Sequence, residues 1–93
     1  MPKKPPDPYA IECGRRLRAT REALGYATVR EFAEATGVTD DALSAWERGI
    51  NLVRQDYVRR IKRQFGVTFD WIYDGDASTL RQSLYDLVEG KAS

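Results

Sequence analysis

The stretch Val29 to Glu47, VREFAEATGVTDDALSAWE, leaves the rest of the chain little freedom. Phe32 and Ala33, extended by Val29 and Thr36, fall at the i, i+3, i+4, i+7 spacing of one helix face. Thr28 precedes this face and Glu31 follows three residues later, the pattern of a capping box that satisfies orphan N–H groups of a first turn. Gly37 closes the helix, where a left-handed residue without a Cβ costs little. Val38 can then turn back into a core, and Thr39 is a good N-cap for a second helix carrying Leu43 and Trp46 inward. The small Ala33 lets the two helices cross closely at a steep angle. The spacing therefore predicts two short helices joined by a tight turn, the second free to lie in a groove of a partner.

A chain of 93 residues supports one domain with a single modest core. At 42% hydrophobic and 31% charged it is globular rather than disordered in composition. No apolar run approaches membrane-spanning length, and the proline-rich, polar start is not a signal peptide, so a cytoplasmic location is expected. The single Cys13 forms no internal disulfide, and with no His a Cys/His metal site is out of reach; no metal or cofactor is expected. Enzymatic activity is not expected either, because the chain lacks a phosphate-cradling glycine loop, a cysteine paired with a base, and carboxylates suited to acid–base work.

The net charge of +1 hides strong patterning. Residues 1–25 carry +3, residues 26–47 carry −4, residues 48–65 carry +5 and residues 66–93 carry −3. A polyanion would be drawn to the two basic stretches that flank the acidic paired helices.

Read in order, residues 1–9 are expected to be a disordered proline-rich arm, or one whose Lys3 and Lys4 follow a nucleic-acid backbone. Residues 10–76 form the folded domain, and 77–93 a C-terminal amphipathic helix and tail. A first helix is expected from Ile11 to Leu24, with Ile11, Cys13, Gly14, Leu17 and Leu24 on its inner face. Arg21 falls in the same stripe and needs a partner, since an unpaired buried charge is very costly. Glu47, which follows Trp46 among apolar neighbours, is the expected partner. Arg15, Arg16 and Arg18 are expected at the surface, one of them near a phosphate. A fourth helix is expected at about 55–64, with Val58, Ile61, Phe65 and Tyr57 inward and Arg59, Arg60, Lys62 and Arg63 outward. A short fifth helix spans Phe69 to Tyr73. A last one spans Thr79 to Glu89, with Thr79 and Gln82 as a second capping box and Leu80, Leu84, Leu87 and Val88 as its apolar stripe.

The pieces RRLRATREALG, FAEATGVTDDALSAWERG and RRIKRQFGVTFDWIYDG, in this order, resemble the lambda-repressor-like (Cro/repressor, XRE) helix-turn-helix family over about Cys13 to Gly75. The resemblance implies an all-α fold, a five-helix DNA-binding domain to which this chain adds a C-terminal helix. It implies a regulator that binds double-stranded DNA with sequence preference, repressor-like, with its third helix (39–48) in the major groove. Base-reading positions carried over from the family are Thr39, Asp40, Asp41, Ala42, Ser44 and Ala45. Phosphate positions are Thr28, Val29, Arg48, Asn51 and Arg54. A homodimer is implied by operator symmetry, and Trp71, Ile72, Tyr73, Leu84, Leu87 and Val88 are its expected interface. For the last-helix residues, packing on their own domain is an equal alternative. No membrane partner and no small-molecule ligand are expected.

Two departures from the family bear on function. Val29 stands where the family usually has glutamine, which removes one side-chain phosphate contact. Asp40 and Asp41 stand where Gln, Arg, Ser or Thr are common. A carboxylate can accept a hydrogen bond from cytosine N4, yet it opposes the field that draws in a polyanion. The other role for the two aspartates is to complement the helix dipole, about 0.3–1 kcal/mol each. The competing function is a protein-interaction module on the same fold, antitoxin-like or an assembly subunit, motivated by the acidic face from Glu31 to Asp41.

Overall fold

The computed structural model describes residues 7–92, which form six α-helices and one 3₁₀ turn; no strand occurs among them. The helices are α1 (Pro8–Ala23), α2 (Val29–Thr36), α3 (Asp40–Glu47), α4 (Gln55–Phe65), α5 (Phe69–Asp74) and α6 (Gln82–Ala92), with the 3₁₀ turn at Ala77–Thr79. The all-α architecture and the paired helices around Gly37 are as the sequence predicts.

Local chemistry sets most boundaries. The Thr28, Thr39 and Thr68 side chains accept the N–H groups of Glu31, Ala42 and Trp71, so α2, α3 and α5 each start on a threonine cap. The Thr28 hydroxyl also meets Glu31 Oε1 at 3.1 Å. Gly37 closes α2 with φ of 74°, a conformation that residues with a Cβ rarely adopt.

Several boundaries differ from expectation. Helix α1 begins at Pro8 rather than Ile11, because Asp7 caps the Tyr9 N–H and a proline at the first helical position lacks only a donor that would be orphaned anyway. The expected arm therefore ends before residue 8, and its residues 1–6, with Lys3 and Lys4, lie outside the described residues. Helix α4 runs one residue further than expected, to Phe65. The last helix begins at Gln82 rather than Thr79. Thr79 instead bonds Thr68 Oγ1 at 2.6 Å and the Asp76 carbonyl at 2.9 Å, and Leu80 is extended and buried.

The core joins Cys13 and Leu17 of α1, Phe32 and Ala33 of α2, Leu43 and Trp46 of α3, Val58 and Ile61 of α4, and Trp71 and Ile72 of α5. Leu84 and Val88 of α6 complete it, so α6 covers the domain that precedes it. Four of the six residues expected at a dimer interface, Trp71, Ile72, Leu84 and Val88, are thus buried within the chain. Only Leu87, 49% exposed, and the half-buried Tyr73 face outward. Ile11 is also exposed rather than inward, since it lies to one side of the Cys13–Leu17 stripe. Burial pushes the phenols of Tyr57 and Tyr73 up to about 12, so both stay neutral. Tyr73 donates to the Val53 carbonyl, and Tyr57 shares a hydrogen bond with the Thr36 hydroxyl.

Helices α1 and α3 are joined by Arg21 and Glu47. Arg21 Nε donates to Glu47 Oε2 at 2.9 Å and Nη2 to Oε1 at 3.2 Å, while Nη1 donates to the Tyr26 carbonyl at 2.8 Å. Both side chains are 6% exposed. This approach depends on Gly14, where an added Cβ would lie 2.7 Å from the Glu47 carbonyl oxygen and in conflict with that of Trp46.

Glu47→Ala should leave the Arg21 cation buried without its anion and lower stability by about 3–5 kcal/mol in denaturant unfolding. Gly14→Ala should cost about 1–3 kcal/mol by forcing α3 off α1, although alanine alone favours a helix. A midpoint at the wild-type value for either variant would contradict this packing.

Candidate nucleic-acid interface

Helix α3 turns Leu43 and Trp46 into the core, which sets its opposite side toward solvent. Thr39, Asp40 and Asp41 are exposed, and Ala42, Ser44 and Ala45 are half-buried. The six expected base-reading residues therefore lie together on the first two turns of one helix. The Thr39 oxygen accepts the Ala42 N–H at 3.1 Å, which leaves its hydroxyl proton and one lone pair to offer a ligand. Neither Asp40 nor Asp41 forms an ion pair or side-chain hydrogen bond among the described residues. Both sit in the first turn, where the partial positive charge of the helix N-terminus favours a carboxylate. Helix α6 packs chiefly on α1 and the 3₁₀ turn.

The expected phosphate residues divide into two groups. Val29 and Arg48 line a shallow groove between α1, α2 and α3, together with Arg18, Arg21, Ser44 and Glu47. Arg48 is exposed, held only by a 3.4 Å hydrogen bond from Nε to the Ser44 carbonyl. Arg18, one of three arginines expected at the surface, meets it there, with its own Nε 3.6 Å from Glu22. Asn51 and Arg54 lie instead on the exposed loop between α3 and α4. Arg54 directly precedes α4 and pairs with Asp56 at 3.0 Å, so a ligand must compete for it. Thr28 is exposed, but its hydroxyl is occupied at the α2 cap.

Several arginines serve helix ends rather than solvent. Arg16 was expected at the surface, yet its Nε donates to the Ile72 carbonyl at 2.9 Å and its Nη2 to that of Tyr73 at 3.2 Å. Arg60 donates to the Thr36 and Gly37 carbonyls at 2.7 and 3.1 Å, and Arg81 to the Phe65 carbonyl at 2.8 Å. In each case a guanidinium satisfies carbonyls that a helix leaves without an internal partner. Among the described residues, no three His, Cys, Asp or Glu side chains converge as a metal site would require. No helix among them is long and apolar enough to cross a membrane.

Residues 17–72, well over half of the chain, match the helix-turn-helix family, and the all-helical fold agrees. The chain belongs to that family, in its XRE, lambda-repressor-like branch: it is a DNA-binding helix-turn-helix regulator. Neither the curated proteins nor the solved structures contain an individual match to it.

Proposed function

We propose that the chain is a sequence-preferring, repressor-type regulator that acts in the cytoplasm as a homodimer and performs no catalysis. The first two turns of α3 enter the major groove, with Thr39, Asp40, Asp41, Ala42, Ser44 and Ala45 toward base edges. Thr28, Val29, Arg48, Asn51 and Arg54 hold the backbone on either side. The observation that carries this reading is the exposed first turn of α3, with Thr39, Asp40 and Asp41 all open to solvent. With its two unpaired carboxylates, that turn favours cytosine N4, a donor in the major groove, over guanine, which offers only acceptors there.

A two-fold contact is best supported at the loop that precedes α4. Ile50 is 61% exposed and Leu52 43%, and they alternate with Asn51 between Arg48 and Arg54. Ile11 adjoins them, because its backbone lies against Gly49. Self-association there would fix the spacing between two α3 helices, which operator half-sites must match. The unpaired acidic turn also gives a specific basis for the second reading, a protein-interaction module that binds a basic partner.

Selection of bound sequences from random duplexes, followed by anisotropy titration, tests the main reading. Enrichment of one motif is expected, whereas absence of binding even at low salt would favour the interaction module. Arg48→Ala and Arg54→Ala should weaken all duplexes alike, while Asp41→Asn should relax preference at one base pair by about 1–3 kcal/mol. A uniform gain in affinity from Asp41→Asn would remove that carboxylate from base reading. Ile50→Asp with Leu52→Asp should yield a monomer in sedimentation equilibrium; an unchanged oligomer would place the contact elsewhere.

A further inference from the structure

Among the described residues, all arginines except two have an ion pair or hydrogen bond within the chain. Arg15, Arg18, Arg21, Arg30 and Arg54 face carboxylates, and Arg16, Arg48, Arg60 and Arg81 donate to backbone carbonyls. Arg59 and Arg63 have neither. They lie four residues apart on α4, so their side chains project from one face about 6 Å apart along the axis. Both are exposed, and like charges at this spacing repel each other. They line an open groove with Gln55, Asp56, Arg60 and Gln64. Its one carboxylate, Asp56, is already paired with Arg54. From Tyr57 to Phe69 the chain has four cations and no carboxylate. Lys62, on the neighbouring face, is 5.7 Å from the Phe69 ring centroid.

The position of α4 ties this face to the helix-turn-helix. Arg60 bonds the carbonyls of Thr36 and Gly37 at the turn that leads into α3, and Gln64 bonds that of Ala35. At its other end Tyr57 packs against Trp46 of α3 at 4.8 Å between ring centroids. The unpaired cations are thus tied to the helix-turn-helix that carries α3, whose first turn presents unpaired anions.

We propose that Arg59 and Arg63 form a second backbone-contacting surface, engaging DNA phosphates beyond the groove that α3 occupies. The inference rests on the DNA-binding reading above and extends it to a face of α4 that reads no bases. Here a site with acidic base readers recovers affinity from cations one helix away. Arginine suits this role because its planar fork pairs bidentately with phosphate. An acidic protein segment is the competing occupant, and its chemistry would leave DNA affinity untouched.

The experiment measures anisotropy of a labelled duplex from the selection above against the full chain, from about 50 to 200 mM KCl. The variants are Arg59→Gln/Arg63→Gln, which keeps helix propensity, and Arg15→Ala as a control for loss of a remote surface cation. Circular dichroism verifies that each variant is folded. The double variant should bind every duplex more weakly and with a log–log salt slope shallower by about 1.8, close to 0.9 for each lost phosphate contact. Its ranking of duplexes should match that of wild type, and the Arg15 variant should keep the wild-type slope. A double variant with wild-type slope and affinity would overturn the proposal while leaving α3 as the reader. Absence of DNA binding by wild type would instead overturn both.

Discussion

The bond between Arg21 and Glu47 is the constraint on which the rest of the structure depends. It is almost sealed from water, so neither charge is tolerable without the other. Its third arm, to the Tyr26 carbonyl, fixes the chain where it leaves α1 for α2. One guanidinium therefore sets α3 against α1 and holds the loop that feeds α2. With α1 as base, the outer side of α3 has no freedom to rotate. The direction in which Asp40, Asp41 and Ser44 point is decided at the far end of their helix.

Much of this arrangement is legible in the sequence. Helical periodicity places Phe32, Ala33, Leu43 and Trp46 inward, and threonine and glycine mark the ends of α2 and the start of α3. The arginine on an apolar stripe announces its need for a carboxylate, and only one acidic residue sat among apolar neighbours at the right place. These inferences work because each rests on local spacing or on a large energetic penalty.

The missed features are long-range and individually small in energy. Arg16, Arg60 and Arg81 reach across 56, 24 and 16 positions in the chain to carbonyls at helix ends. Periodicity reports which face a residue occupies, but not whether a long side chain on that face meets solvent or a neighbouring terminus. Periodicity shows Gly14 only as a member of the inner stripe; its closeness to the α3 carbonyls requires the crossing of two helices to be known. The fate of the last helix was equally open, since an apolar stripe is the same whether it covers its own domain or a second copy. The site itself was legible as a set of exposed positions on α3, while the grouping of Arg18 with Val29 and Arg48 emerges only from the packed fold.

The arginines at helix ends carry a consequence for how this chain tolerates change. Each spans two carbonyls or joins two elements through a flat, forked head, and a lysine offers a single point of charge in its place. Exchange of arginine for lysine, harmless on most surfaces and silent in any tally of charge, would here loosen the tie between one helix and another. Two sequences of identical composition in basic residues could thus differ in whether their third helix is held firm.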